Sequence, residues 1–199
     1  MNLVTKSAPN FIAPAILKDG KIINEFNLKE QIQNKLVVLF FWPMDFTFVC
    51  PTEIIAFNKL YSEFVKRDTE IIGISKDSVF VHHAWRNTPI KQGGIGNIQY
   101  TMISDIKGEI QSAYDIVHPE IGVALRASFL IDKNWIIRHQ IVNDLPFGRN
   151  INEIIRMIDA IKFYENNGEV CPANWKNGEK TIHPSQKGLI KYLNKNDSS

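Results

Sequence analysis

The chain has 199 residues, 44% hydrophobic and 22% charged, with a formal net charge of +2; this is enough apolar material for one well-buried domain with some left for an arm. Basic and acidic residues are interspersed, which excludes the electrostatic footprint of a nucleic-acid or membrane-surface protein. Two cysteines are too few for a disulfide scaffold in a chain of this length.

The N-terminal stretch MNLVTKSAPNF lacks the order of a signal peptide, and no apolar run approaches a membrane-spanning length. A cytoplasmic protein with no membrane partner is the expectation. In such a reducing compartment a cysteine is catalytic or inert more often than structural. No linker, low-complexity run or internal repeat interrupts the first 165 residues.

Residues 36 to 41, LVVLFF, form a continuous apolar run that suits a strand buried on both faces. The short loop WPMDFTFV follows, and then a helix opens. Pro51 fits its first turn, where a missing N–H costs nothing, and Glu53 is placed to serve the orphan amides there. Ile54, Phe57, Leu60, Tyr61 and Phe64 repeat at three and four, giving this helix one core-facing stripe. EIIGIS at 70 to 75 reads as a second buried strand, so strand, helix and strand make a βαβ unit with a parallel pair.

A weaker strand, YTMIS, is predicted at 100 to 104. Residues 126 to 131 and 135 to 142 flank the polar turn Asp132-Lys133-Asn134 and read as an antiparallel hairpin. Ile151, Ile154, Ile155, Ile158 and Ile161 then mark a helix ending near Asn167-Gly168. A βαβ unit followed by a ββα unit is an α/β, thioredoxin-like plan: a mixed central sheet flanked by helices. Beyond Gly168 turn formers dominate and the second cysteine, Cys171, appears. The expected organisation is a domain over 1–165 and an extended C-terminal arm over 166–199. Lys187, Lys191 and Lys195 have helical spacing and read as the solvated face of a short C-terminal helix.

Cys50 stands where the loop after a buried strand meets the N-terminus of a helix, and the partial positive charge and unpaired N–H groups there favour a thiolate. A buried, inert cysteine is the bland alternative, and the neighbours Thr47, Pro51, Thr52 and Glu53 argue against it. A disulfide exchanger of the C-x-x-C kind would carry its second cysteine three positions on, where this chain has Glu53. An oxidised Cys50 must therefore be resolved by Cys171 or by an outside thiol. Stabilising a thiolate raises its fraction at neutral pH by only about thirtyfold, and part of that is lost as nucleophilicity falls. A fast reaction with a peroxide also needs donors aimed at the peroxide oxygens as the O–O bond breaks. Thr47 can supply a hydroxyl from the same loop, and Arg126, at the start of a later strand, is the candidate guanidinium.

PMDFTFVCPTE at 43 to 53, with Pro43, Thr47 and Cys50 in P-x-x-x-T-x-x-C spacing, resembles the active-site loop of typical 2-Cys peroxiredoxins. The resemblance extends to HHAWRNTP, GVALRASFLID with Arg126, VNDLPFGR with Arg149 and GEVCPANW with Cys171, and so spans nearly the whole chain. It implies that Cys50 is the peroxidatic cysteine, that Pro43 shields it, and that Thr47 and Arg126 bind and polarise the hydroperoxide. Glu53 and Arg149 match a pair that orients the arginines, and Cys171 matches the cysteine that resolves the sulfenic acid of a second subunit. The resemblance further implies partial unwinding of the Cys50 helix, reduction from outside by thioredoxin or a flavoprotein reductase, and homodimers assembling into a decamer. The chemistry needs no cofactor or metal, because sulfenic acid formation and condensation are cysteine chemistry.

Gly93-Gly94-Ile95-Gly96 resembles the GGLG element that, with a Tyr-Phe pair in the C-terminal helix, leaves family members prone to overoxidation. Here the pair is Tyr192-Leu193, and intermediate sensitivity is the expectation. Three rival readings are weaker. A metal site lacks ligand spacing, since His82 and His83 are adjacent and the other histidines scattered; His83 reads as a packed helix residue beside Trp85. An intrachain Cys50–Cys171 disulfide in a binding protein leaves the polar loop around Cys50 without a purpose. A peroxide sensor or holdase chaperone would use the same cysteine switch, and multiple turnover would tell it from an enzyme.

Overall fold

In the computed structural model, which describes residues 2–194, the chain divides by its contacts into two compact units meeting between Ile151 and Asn152. The first unit opens with a hairpin, β1 (Ile12–Ile16) and β2 (Ile22–Asn27), and a single helical turn, α1 (Leu28–Gln31). Then come β3 (Leu36–Phe41), α2 (Cys50–Lys59), α3 (Tyr61–Val65), β4 (Thr69–Ser75), α4 (Val79–Asn87) and a 3-10 turn (Ile90–Gln92). β5 (Thr101–Ser104), α5 (Glu109–Ala113), β6 (Arg126–Ile131) and β7 (Ile137–Asn143) complete it, and α6 (Ile151–Asn167) begins at its end.

The strands form one sheet in the order β2-β1-β5-β4-β3-β6-β7. β4 runs parallel to both β3 and β5, and β6 runs antiparallel to β3 and β7. This is the mixed, thioredoxin-like sheet flanked by helices that the element order predicts. Every residue of β3 is buried, as the unbroken apolar run requires of a central strand covered on both faces.

The polypeptide leaves β3 through Trp42 and Pro43, both buried, and the loop that follows carries it to Cys50 at the start of α2. The site is thus built where a central strand ends and a helix begins. Trp42 needs a gap in the neighbouring strand. A Cβ at Gly73 would lie 2.6 Å from the Trp42 ring and 2.9 Å from that of Phe40. Gly73→Ala should therefore overpack the core and lower the unfolding free energy by ~1–3 kcal/mol, read as a shift of the urea midpoint at unchanged m-value.

Three details differ from the sequence reading. The predicted stripe is divided between two helices, because Leu60 leaves helical geometry at φ −96° and ψ 8°; Phe57 and Phe64 still meet, ring centroids 6.0 Å apart. Glu53 caps no amide of α2, which has no side-chain cap at its N-terminus. On α4 it is His82 that is packed away, fully buried, and His83 is exposed.

The second unit holds most of α6 and the segment up to α7 (Gln186–Asn194). Val170 and Ile182 exchange backbone hydrogen bonds of 2.9 and 3.0 Å, and Trp175 is buried with its ring 5.2 Å from that of Phe163. Lys187 and Lys191 are exposed on α7, whereas Lys195 lies outside the described residues.

Candidate active site around Cys50

Cys50 is the first residue of α2, and its side chain is fully buried. Pro51 follows in the first turn, where a residue without an N–H takes nothing from the helix. Two donors converge on the sulfur. Thr47 Oγ1 lies 2.8 Å from Sγ, and Arg126 Nη1 lies 3.3 Å from it.

The Thr47 oxygen is also 3.0 Å from the carbonyl oxygen of Met44, and one hydroxyl proton cannot serve both acceptors. A sulfur that carries a proton can donate to Thr47, whose hydroxyl then donates to Met44. A sulfur that has lost its proton receives the hydroxyl instead. Thr47 therefore adjusts to either state of Cys50 by rotating one O–H.

Arg126, the first residue of β6, is aimed by two further bonds. Its Nε donates to the Leu145 carbonyl at 2.6 Å, and Nη1 donates to Glu53 Oε2 at 2.9 Å. Glu53 sits one turn into α2 and is held on its other side by Arg149. Arg149 donates to it through its backbone N–H at 2.8 Å, Nε at 2.7 Å and Nη2 at 2.9 Å. The remaining Arg149 nitrogen, Nη1, reaches the Ala127 carbonyl and Ser128 Oγ on β6.

All three charged side chains are almost fully buried. Two guanidinium groups and one carboxylate leave one positive charge uncompensated in a medium that screens poorly. The group that faces this charge is the Cys50 sulfur. Burial alone would raise the Glu53 carboxyl, but the hydrogen bonds and charge of Arg149, with the charge of Arg126, outweigh it and hold the group below its ordinary value.

A carboxyl held low favours the folded state above its unfolded value, ~4.3, and that contribution is lost as pH falls through the lowered value. Thermal melts should therefore show a loss of stability below about pH 4.3, and Glu53→Gln should remove this component of the acid dependence.

Pro43, buried at the head of the loop, is in the same short segment as Thr47 and Cys50. Within that segment Asp45 is buried as well, paired with His82 at 2.7 Å. Sequence reasoning gives neither residue a place in the site. They are 37 positions apart, and a loop aspartate and a helical histidine carry no shared pattern.

Beside α4, the indole of Trp85 donates to the Gly93 carbonyl at 2.9 Å, and its ring lies 5.6 Å from that of Phe46 in the loop. Gly94 is required there, since a Cβ would fall on the Thr88 carbonyl.

Cys171 belongs to the second unit. Like Cys50 it is a free thiol, half-buried, with Sγ 3.8 Å from the Ala160 carbonyl oxygen on α6. Burial pushes its thiol up, and the nearby charge of Arg156 offsets part of the effect. Arg156 is fixed by Glu153 at 2.7 Å and donates to the Trp175 carbonyl at 3.0 Å. Among the described residues no group of three or more His, Cys, Asp or Glu side chains is arranged to hold a metal ion. No helix among them is long and apolar enough to cross a membrane.

A family model described as the AhpC/TSA family matches residues 4–140, and one described as the C-terminal domain of 1-Cys peroxiredoxin matches residues 160–195. An alkyl hydroperoxide reductase C of Buchnera aphidicola subsp. Schizaphis graminum is 64% identical over 195 residues, covering 98% of each chain. An alkyl hydroperoxide reductase C of Helicobacter pylori is 48% identical over 194 residues, again covering 98% of each. Among solved structures, the reduced 2-Cys peroxiredoxin of Plasmodium vivax superposes with a TM-score of 0.93 at 46% identity, covering 98% of this chain and 100% of its own.

Proposed function

The chain belongs to the AhpC/TSA family and is a thiol-dependent peroxidase, and from that premise we propose that Cys50 is its peroxidatic residue and Cys171 of a partner subunit its resolving residue. The observation that carries the first assignment is the convergence of the Thr47 hydroxyl and the Arg126 guanidinium on one buried sulfur.

In the proposed cycle the Cys50 thiolate attacks the terminal oxygen of a hydroperoxide. The O–O bond breaks, the sulfur is oxidised to sulfenic acid, and the departing oxygen leaves as an alkoxide or hydroxide that takes up a proton. Arg126 Nη1 and Thr47 Oγ1 flank the sulfur and are placed to donate to the two peroxide oxygens, so the charge moving between them meets preorganised donors. Glu53 and Arg149 hold Arg126 in that direction, and Pro43 closes the head of the loop.

The thiolate of Cys171 then attacks the Cys50 sulfur, the S–O bond breaks, the oxygen leaves as hydroxide that takes up a solvent proton to become water, and an intersubunit disulfide forms. Because burial raises the Cys171 thiol, this step should accelerate with rising pH. An external dithiol protein, thioredoxin or a dedicated flavoprotein reductase, returns both cysteines to thiols.

Homodimers assembling into a decamer are part of the same proposal. The outer edge of β7 bonds Thr5 and Lys6 through the backbone of Ile137 and beyond that pairs with no further strand among the described residues, and Phe46, Phe48 and Phe80 are 51%, 93% and 74% exposed, more apolar surface than an isolated protomer is expected to present at one loop and helix.

Cys171→Ser tests the cycle. Given one equivalent of hydrogen peroxide, the variant should oxidise Cys50 as fast as the parent yet run as a monomer on a non-reducing gel. The parent should run as a disulfide dimer. Loss of the first oxidation in the variant would place Cys171 in the peroxide step, and a dimer band in it would exclude the assignment.

A further inference from the structure

Cys171 sits on a stretch of chain that runs back along α6. Arg156 and Ala160 are four positions apart on that helix, so they share one of its faces at a spacing of about 6 Å along the axis. The returning chain touches them in reverse order. The Cys171 sulfur lies 3.8 Å from the Ala160 carbonyl oxygen, and four residues later the Trp175 carbonyl accepts from Arg156 Nη1 at 3.0 Å. The Trp175 backbone N–H donates to the Pro172 carbonyl at 3.2 Å, which closes a turn, and its buried ring packs against Phe163 on the same helix.

This seat works against ionisation of the sulfur. The Ala160 carbonyl only accepts, so its contact suits a thiol that keeps its proton. The half-buried position takes the sulfur partly out of water, which also disfavours the charged form. Cys50 has a hydroxyl and a guanidinium aimed at its sulfur, whereas the hydrogen-bond partner of Cys171 is an acceptor. What opposes the burden at Cys171 is the charge of Arg156. Glu153 takes the Nε and Nη2 edge of the guanidinium at 2.7 Å each, which leaves Nη1 on the side of the returning chain, and the charge there acts on the Cys171 sulfur against the effect of burial. The other charged side chains near this crossing, Glu153, Asp159 and Lys162 on α6 and Glu169, Lys176 and Glu179 beyond it, do not bear on the sulfur.

We propose that Arg156 is a positioning residue for the resolving step, one that sets a fixed positive charge beside the sulfur that must become the attacking thiolate. In that step the Cys171 thiol gives its proton to solvent and the thiolate bonds to the Cys50 sulfur, while the S–O bond of the sulfenic acid breaks and the oxygen leaves as hydroxide, which takes up a solvent proton. Arg156 serves the first of these events.

A purely structural Arg156 gives the opposite sign. Were it only a clamp on the Trp175 carbonyl, its loss would free the chain, wet the sulfur and let the thiol fall toward the ordinary value of a free cysteine, ~8.5. The pairing of Val170 with Ile182 and the packing of Trp175 on Phe163 keep the seat without it. Loss of the charge then leaves burial unopposed, and the thiol rises further.

The measurement is the rate at which iodoacetamide alkylates Cys171 in the full-length Cys50→Ser chain, which holds no other cysteine, followed from pH 6 to pH 10 with and without Arg156→Gln and Arg156→Lys. Alkylation follows the thiolate fraction. The expected result is a midpoint that moves up in Arg156→Gln, with slower alkylation below it and a plateau at least as high, since the more basic thiolate is the better nucleophile. Arg156→Lys returns the midpoint toward its starting place. An unmoved or falling midpoint in Arg156→Gln overturns the proposal, and so does a midpoint in Arg156→Lys no lower than in Arg156→Gln. Should Arg156→Gln fail to fold, added potassium chloride takes its place: the guanidinium is partly exposed and salt screens it, so the midpoint of the Cys50→Ser chain rises with salt, and one that stays or falls is the contrary result. The inference rests on Cys171 being the resolving residue. Its readout uses no peroxide, so it can fail while that reading stands, and a failure of that reading in Cys171→Ser leaves the alkylation profile as it is.

Discussion

Serine in place of Cys50 is expected to reduce peroxide consumption to that of a protein-free blank. Every other part of the site stays: serine is slightly smaller than cysteine, Arg126, Glu53 and Arg149 keep their mutual bonds, and Thr47 keeps the Met44 carbonyl. Only the nucleophile is lost. A serine hydroxyl is not ionised at neutral pH, and the proposed chemistry needs a sulfur that can be oxidised and later reduced. A coupled assay with a dithiol reductant, run beside a thermal melt, separates loss of chemistry from loss of fold. Residual turnover in a folded variant would move the reaction to Cys171.

Arg126→Met should lower the second-order rate constant for hydrogen peroxide by about 10²–10³-fold, the usual cost of one preorganised donor at a developing anion. Methionine keeps the length and the apolar stem. It loses the donor 3.3 Å from Sγ and the positive charge that faces the sulfur. Glu53 remains paired through its three bonds to Arg149, so the cluster is weakened but no carboxylate is stranded. Arg126→Lys should recover only part of the loss, because an ammonium cannot keep Leu145, Glu53 and the sulfur in one planar fork. Full activity in Arg126→Met would remove the guanidinium from the mechanism.

The parts of the fold that could be read from the sequence are those where hydropathy and burial agree. LVVLFF is an unbroken apolar run and EIIGIS is dominated by isoleucine because β3 and β4 are covered on both faces, and the 126–142 hairpin is marked by Asp132, whose Oδ1 accepts from the backbone N–H groups of Asn134 and Ile136. The β1–β2 hairpin was not legible. Pro14 stands inside β1, where a missing N–H argues against a strand, and the structure accommodates it at a register shift between Ala13 and Ala15.

Around the site, hydropathy points the wrong way. On α4, Phe80 is 74% exposed while His82 is fully buried, so the apolar period that should mark the inner face is absent and the sequence points to His83, the wrong member of the pair. In the loop, Phe48 is the most exposed large apolar side chain and Asp45 is inside. Surface given to aromatics and interior given to a hydrogen-bonded aspartate and histidine are departures from local preference of the kind expected at functional positions. Thr47 and Arg126 could be argued from what peroxide chemistry requires. Arg149 could not, since it lies 96 positions from the carboxylate it binds, and only the resemblance brought it in. Glu53 was legible as a first-turn acid, but its partners are guanidinium groups, because two buried cations need its charge more than the helix amides do.

The central claim, that Cys50 is an activated sulfur and Cys171 its resolving partner, is tested most directly by mixing the fully reduced protein with one equivalent of hydrogen peroxide. Tryptophan fluorescence follows the reaction, and acid-quenched samples are mapped by mass spectrometry. The account predicts oxidation at Cys50 orders of magnitude faster than that of free cysteine, followed by a Cys50–Cys171 disulfide between two chains. Oxidation no faster than free cysteine, or a first product at Cys171, would contradict it.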